Sequence, residues 1–251
     1  MFIDTHCHLS IEDYSDIHQI IIENREAGIG KMIVSGCTKD SISEVLELSK
    51  NYDDIYLTIG YHPSEALSIT DADLLLLEKQ IQNSKVVGVG EIGLDYHYGK
   101  EDIEEQKDLF KKQMELAEKY HLPVVIHSRD ATEDTIQILK MYPNVKGDIH
   151  CFSGSVETAF IYLSMGYKIG IGGVVTFKNS NLFKVVEQIG INNILLETDA
   201  PYLTPEPFRG QVNSSKYIPY IAKKVSEILN LDEKNVELIT TENAIRLFDL
   251  N

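Results

Sequence analysis

Short runs of β-branched and other apolar residues alternate along the chain with longer segments in which apolar residues recur every three or four positions. The short runs predict eight strands, at residues 2–5, 31–35, 55–59, 86–89, 124–126, 147–149, 167–171 and 194–196. Helical spacing is clear in Ile103–Tyr120 and in residues 71–83. Eight strand-then-helix units without a linker rich in Pro, Gly or Ser predict one α/β domain over residues 1–251, a (β/α)8 TIM-type barrel.

Two other folds remain compatible with this pattern, namely a doubly wound open sheet and a distorted barrel of seven strands. They remain because residues 167–171, which precede two further glycines, are the weakest strand candidate. The C-terminal segment, residues 216–251, predicts two or three extra helices packed on the outside of the barrel.

Composition narrows the class of protein. The 251 residues include 39 acidic and 23 basic side chains, which gives a formal net charge of −16. A groove that follows the phosphates of a long duplex needs a cationic surface, so such a groove is excluded. The acidic residues are unevenly distributed along the chain. Residues 1–120 carry 24 acidic and 11 basic side chains, whereas residues 121–210 carry 9 acidic and 7 basic side chains. We therefore expect any action on phosphate to use the second half.

The cysteines and the N-terminus indicate the compartment. Cys7, Cys37 and Cys151 are too widely spaced for a disulfide framework or a CxxC metal site, which favours a reducing environment. The first residues lack the features of a secretory signal, and no apolar run approaches 18 residues. We expect a cytoplasmic protein with no membrane partner.

Side chains that bind metal ions follow most of the predicted strands, where active sites of barrels lie. They are His6 and His8, His62, Glu91, His127, His150 and Asp199. His6 and His8 are two apart on a strand and so face the same side. The imidazoles of His6, His8, His127 and His150, together with Glu91 and Asp199, exceed the coordination of one ion that must also admit water. We therefore expect two divalent ions and a bridging carboxylate. Zn, Mn and Mg all remain open.

Glu91 lies within residues 88–93, GVGEIG, which formally match the GxGxxG dinucleotide fingerprint. We reject that interpretation because an acidic residue would repel a pyrophosphate and because no helix signal follows directly. We expect the glycines to let the strand turn and bring Glu91 to the ions. Gly170, Gly172 and Gly173 present two alternatives, a phosphate cradle or close packing at a strand end.

The remaining candidates have roles outside the ligand set. Asp199 could position the attacking water and accept its proton, although an aspartate before a turn is also a common turn former. Arg129 and Arg209, in predicted loops beside the site, could clamp an anionic oxygen or form surface salt bridges. His62 could contact substrate or satisfy its loop, and Asp95 could support the site or the loop. Structural roles are expected for the other three histidines, His18, His97 and His121.

Taken together, these motifs resemble the TatD family of metal-dependent deoxyribonucleases along the whole chain. The matching segments are DTHCHL (4–9), GYHP (60–63), GEIGLDY (90–96), VIHSRDA (125–131), HCFSG (150–154), ETDAPYL (197–203) and RG (209–210). The resemblance implies one ion held by His6, His8, Glu91 and Asp199 and a second held by Glu91, His127 and His150. Family members commonly carry Asn-x-Pro after the RG, whereas this chain has Asn213, Ser214 and Ser215.

The resemblance also implies hydrolysis of phosphodiester bonds, often from a 3′ end of single-stranded DNA. The expected substrates are DNA ends or short single strands, since two divalent ions would outweigh the charges of Glu91 and Asp199 and make the site locally positive. Two rivals stay open. One is an acyl hydrolase acting on an ester, amide or aminoacyl ester with the same two ions, and the other is a non-catalytic scaffold. Oligomeric state is left open.

Overall fold

Eight parallel strands form one sheet in chain order in the computed structural model, which describes residues 1–99 and 101–250. The strands are β1 Phe2–Cys7, β2 Ile29–Gly36, β3 Ile55–Ile59, β4 Val86–Asp95, β5 Val124–Arg129, β6 Gly147–Ile149, β7 Lys168–Ile171 and β8 Ile194–Leu196. All eight predicted strands are present, including the weak seventh. The TIM-type barrel is therefore confirmed, and the open sheet and the seven-stranded barrel are excluded.

The barrel closes between the segment that follows β8 and strand β1. Cys7 and Ala200 form a parallel bridge, and the backbone N–H of His8 donates to the carbonyl of Ala200 at 2.7 Å. The N–H of Asp199 donates to the carbonyl of His6 at 3.0 Å. Closure therefore joins the two chain segments that carry His6, His8 and Asp199.

Helices follow the strands and cover the barrel. They are α1 Ile17–Glu26, α2 Lys39–Ser49, α3 Asp71–Gln80, α4 Ile103–Tyr120, α5 Thr132–Lys140, α6 Val156–Ser164, α7 Leu182–Ile189, α8 Ile218–Leu229 and α9 Glu233–Phe248. Helix α4 has the predicted bounds, whereas α3 ends three residues before the predicted position 83. A capping box between Thr70 and Asp73 fixes the start of α3.

Strand β4 extends six residues beyond the predicted 86–89, because its pairing with β5 resumes at Ile92 after a shift in register at Gly90 and Glu91. Gly93 pairs with His127, and a Cβ at Gly93 would lie 2.0 Å from the carbonyl oxygen of His127. Glycine is needed there for close approach of two strands. Glu91 consequently lies inside β4, and Arg129, predicted in a loop, is instead the last residue of β5.

The C-terminal segment has two different positions. Helix α8 packs on the outside as predicted, with Ile221 and Val225 in the main core between strands and helices. Helix α9 does not: Phe248 and the following Leu250 form a separate buried cluster with inward-facing side chains of β1, β2, β5 and β8. Asn243 of α9 donates to the carbonyl of Ile194, where β8 begins. Helix α9 therefore covers the N-terminal end of the barrel, opposite the predicted site.

No described helix combines the length and the apolar composition needed to cross a bilayer.

Replacing Phe248 by Ala should destabilise the protein by about 3–5 kcal/mol, because the ring is 2% exposed and its removal leaves a cavity at the end of the barrel. Denaturant unfolding of wild type and variant measures this difference. Phe160→Ala, on the exposed face of α6, is the matched control and should change the free energy of unfolding by less than about 0.5 kcal/mol. Equal decreases in the free energy of unfolding for the two variants would contradict the placement of α9.

Candidate metal centre

The carboxylate of Glu91 lies between two pairs of imidazoles. Its Oε1 is 2.8 Å from Nδ1 of His127 and 2.8 Å from Nε2 of His150. Its Oε2 is 3.6 Å from Nε2 of His6 and 3.8 Å from Nε2 of His8. Each oxygen therefore faces a different pair, which is the arrangement a carboxylate needs to bridge two cations.

Asp199 joins the pair formed by His6 and His8. Its Oδ1 lies 3.6 Å from Nε2 of His6 and 3.7 Å from Nε2 of His8, and the two Nε2 atoms are 3.3 Å apart. The structure thus brings together all six side chains that the sequence singled out as metal ligands, from β1, β4, β5 and the segments after β1, β6 and β8.

The donor set fits divalent cations. The ligand atoms of His6, His8 and Glu91 lie within 4.8 Å of one another, and so do those of Glu91, His127 and His150. The two groups share Glu91, and each combines imidazole nitrogens with carboxylate oxygen, which Zn, Mn and other divalent ions accept. Two ions sharing Glu91 are compatible with this geometry.

Burial and mutual charge set the protonation of these groups. Burial disfavours the ionised form of Glu91, but His150 and His127 outweigh it and hold the pKa of Glu91 well below its usual range. Burial, reinforced by His150, lowers the pKa of His6 well below normal, so its imidazole is neutral and able to bind a cation. Burial also acts on His127, but Asp95 and Glu91 outweigh it and raise the pKa of His127 to about 10.

Asp95 supports the site through His127. Its Oδ2 is 3.0 Å from Nε2 of His127, the ring nitrogen that does not face Glu91. Its Oδ1 accepts the backbone N–H of His97 at 2.9 Å, and its own N–H donates to Gln106. A carboxylate on the distal nitrogen of a histidine orients the ring and raises its basicity as a ligand. The sequence left open whether Asp95 supports the site or the loop. In the structure Asp95 contacts both.

Asp4 and Glu197 are buried acids behind the site that were missed from the sequence. Asp4 accepts from the hydroxyl of Thr198 at 2.6 Å and from the N–H of His6 at 3.3 Å, and burial raises the pKa of Asp4 to about 6. Glu197 accepts the backbone N–H of Cys151, the residue after His150. A signal was available, since both acids stand two residues before a predicted ligand.

Gly170 packs against Glu197. A Cβ at Gly170 would lie 2.6 Å from Oε2 of Glu197, and the Glu197 side chain is fully buried. This geometry favours close packing at the end of β7 over a phosphate cradle.

The chain has Asn213, Ser214 and Ser215 where family members commonly carry Asn-x-Pro. All three residues are buried in the protein interior. The Asn213 side-chain amide donates to the carbonyls of Thr198 and Tyr202, on either side of Asp199. Asn213 therefore fixes the segment that presents Asp199.

His62 points one ring nitrogen at the site and uses the other in its loop. Nε2 lies 3.9 Å from Oε1 of Glu91, while Nδ1 accepts the backbone N–H of Ser64 at 3.1 Å. Burial, the largest effect, lowers the pKa of His62 to about 4. His62 therefore serves its loop, and a neutral ring with hydrogen on Nε2 faces the centre.

Arg129 and Arg209 were each expected either to clamp an anionic oxygen or to form a surface salt bridge. Within the part of the chain that the structure describes, neither forms a salt bridge. Arg129 is exposed, two residues beyond His127, and its guanidinium lies over the ring of Tyr98. Arg209 is also exposed, with its guanidinium 3.9 Å from the ring centroid of Phe177 and a hydrogen bond to the carbonyl of Thr204.

The three histidines predicted to be structural lie outside the cluster. His18 contacts the hydroxyl of Tyr52, His97 contacts Asp130, and His121 ends helix α4 with a positive φ of 55°.

A parallel barrel with clustered imidazoles and carboxylates at one end defines the class, a metal-dependent hydrolase, and comparison with known proteins bears this out. The chain is 41% identical to the metal-dependent hydrolase YabD of Bacillus subtilis, with all of both chains aligned. The family profile described as TatD related DNase matches residues 3–249. The chain therefore belongs to the TatD family.

Solved structures agree with this assignment. The crystal structure of YjjV, a TatD homologue from Escherichia coli, superimposes with a TM-score of 0.92 at 32% identity and covers 100% of this chain and 98% of its own. A TatD family hydrolase from Entamoeba histolytica gives a TM-score of 0.85 at 25% identity and covers 98% and 97%. The barrel is thus shared over the full length.

Asp95→Asn should weaken metal binding about 10- to 100-fold, because the neutral amide lacks the negative charge that raises the basicity of His127 as a ligand. Competition with a chromogenic chelator measures the affinity. Asp130→Asn is the matched control, since it removes an exposed carboxylate that pairs with His97 on the same side of the barrel. Equal affinities for Asp95→Asn and wild type would show that Asp95 supports only the loop.

Proposed function

We propose that this protein is a deoxyribonuclease that removes nucleotides from the 3′ ends of single-stranded DNA. One observation carries the proposal: the two oxygens of Glu91 face two separate imidazole pairs, with Asp199 beside one of them. This arrangement suits two cations, and many enzymes that catalyse in-line displacement at phosphorus use two metal ions. The family description, TatD related DNase, supports DNA as the substrate.

In this proposal His6, His8, Glu91 and Asp199 hold one cation, and Glu91, His127 and His150 hold the other. When bound, two divalent cations activate a water and stabilise the charge on the attacking and leaving oxygens. All other steps are assigned to side chains of the protein.

Asp199 positions the attacking water and accepts its proton. Its side chain is 16% exposed, whereas that of His6 beside it is fully buried, so water can reach Asp199. The closed segment after β8 keeps the carboxylate in place, since the Asp199 N–H is bonded to His6 and Asn213 holds both flanks. A general base fixed in this way typically contributes 10²- to 10⁴-fold to the rate.

His62 and Arg129 act on the phosphoryl group. The Nε2–H of His62 faces the centre and can donate to a phosphoryl oxygen, because Ser64 occupies the other nitrogen. Arg129 forms no direct ion pair with a carboxylate among the described residues and so keeps its charge available for an anionic oxygen. Arg209 would contact the strand further from the scissile bond.

The net charge of −16 restricts how DNA is bound. Without a basic groove, affinity should depend on the cations and on local contacts, which favours ends and short single strands over a long duplex. We expect the protein to bind DNA ends weakly, with an affinity that depends strongly on the metal ions.

The decisive experiment uses metal-depleted protein and single-stranded DNA labelled at its 3′ or its 5′ end, with Mg, Mn or Zn added in turn. Stepwise release of 3′-terminal nucleotides that needs added metal is expected. An aryl acyl ester and an aminoacyl ester are offered in parallel. Turnover of an acyl substrate without DNA cleavage would overturn the proposal, and so would DNA cleavage in chelated protein.

Asp199→Asn should lower kcat for DNA about 10²- to 10⁴-fold, because the amide cannot accept the proton of the attacking water. Single-turnover kinetics at saturating metal separate this loss from weakened metal binding. Asp108→Asn, a surface change at a pair with Lys112, is the matched control and should leave the rate unchanged. A wild-type rate in Asp199→Asn would rule out the assigned role.

A further inference from the structure

Two exposed tyrosines lie near the two carboxylates of the site. One follows β4, the strand that carries Glu91, and the other follows β8 and Asp199. Tyr98 is 85% exposed and lies three residues beyond the end of β4, and Tyr202 is 59% exposed and lies three residues beyond Asp199. Strand order around the barrel follows chain order, so β4 and β8 are four strands apart in either direction and lie on opposite sides. The two rings therefore stand on opposite sides of the metal centre.

The Tyr98 ring is paired with a cation. The guanidinium carbon of Arg129 lies 5.3 Å from the ring centroid, and Nη1 lies 3.4 Å from the Tyr98 hydroxyl. The backbone N–H of Tyr96 donates to the carbonyl of Arg129 at 2.9 Å, and the His97 ring packs edge-on against Tyr98 at 5.0 Å. An aromatic surface and a positive charge are thus presented together at the ends of β4 and β5, the strands that carry Glu91 and His127.

Tyr202 is fixed relative to the proposed catalytic carboxylate. Its backbone N–H donates to the carbonyl of Asp199 at 2.9 Å, and its carbonyl accepts from the amide of Asn213. Its ring centroid lies 6.5 Å from that of His8. The exposed ring is therefore adjacent to the imidazole of His8, and the backbone of Tyr202 is tied to that of Asp199.

We infer that Tyr98 and Tyr202 are stacking platforms for the nucleobases on the two sides of the scissile phosphodiester. This inference rests on the proposed function and specifies its ligand as a single strand with unpaired bases. Stacking on aromatic rings tolerates any base sequence and does not need a basic groove, which this acidic chain lacks. The bases of a duplex are already stacked on one another, so the same platforms favour unpaired ends.

Binding is measured first, without turnover, in an Asp199→Asn background. Short single strands carry the fluorescent base 2-aminopurine at the 3′-terminal or the penultimate position, and stacking on a ring quenches its emission. Tyr98→Ala and Tyr202→Ala should each weaken binding about 5- to 100-fold and each abolish quenching at one of the two positions. Tyr98→Phe, which keeps the ring, should retain the quenching.

Phe183→Ala is the matched control. Phe183 is 42% exposed on α7 and lies beside Lys184, so it is another exposed aromatic paired with a cation, but on an outer helix. Its loss should leave affinity and quenching unchanged. Losses in both tyrosine variants that are no larger than that of Phe183→Ala would overturn the inference.

Kinetics then separate the inference from the proposed function. In the active enzyme, Tyr98→Ala should raise KM for single-stranded DNA about tenfold with little change in kcat, and wild type should show a similar rise on a strand whose terminal residues are abasic. DNA cleavage by wild type with equal KM for abasic and normal ends would overturn the stacking platforms and leave the nuclease proposal standing. Absence of DNA cleavage by wild type would overturn the nuclease proposal itself.

Discussion

The buried carboxylate of Glu91, shared between two pairs of imidazoles, is the interaction on which the rest of the site depends. An ionised carboxylate in a protein interior is costly unless positive or hydrogen-donating groups surround it. Here Oε1 meets His127 and His150 at 2.8 Å, and Oε2 faces His6 and His8 at less than 4 Å. The central negative charge holds together histidines from three separate parts of the chain, and it has the same position that a ligand bridging two cations requires.

This requirement explains the composition of β4. For Glu91 to reach the centre while its strand still pairs with β5, the two backbones must approach more closely than side chains at Gly90 and Gly93 would permit, because a Cβ at either position would overlap β5. The glycines therefore serve strand packing. The continued pairing also places Asp95 opposite Arg129, so that the carboxylate behind His127 and the cation at the mouth come from neighbouring strands.

The acidic character of the chain and its proposed action on DNA are compatible because recognition is local. The net charge of −16 opposes long-range attraction to a polyanion. In the proposed function, cations held by the central cluster would supply short-range binding to an end or a single strand, together with nearby rings and arginines. The structure places the aromatic rings of Tyr98 and Phe177 beside Arg129 and Arg209, which combines stacking and charge in the same positions.

The sequence alone determined the barrel and the six clustered side chains, because strand and helix periods are local and because parallel strands present their carboxyl ends at one edge. The length of β4 and the position of α9 depended on the tertiary structure, since pairing through Gly93 and burial of Phe248 involve residues distant in the chain. The same holds for the supporting roles of Asp95 and Glu197. A carboxylate on a loop and one behind a strand look alike in sequence, and only packing decides which histidine or backbone N–H each one meets.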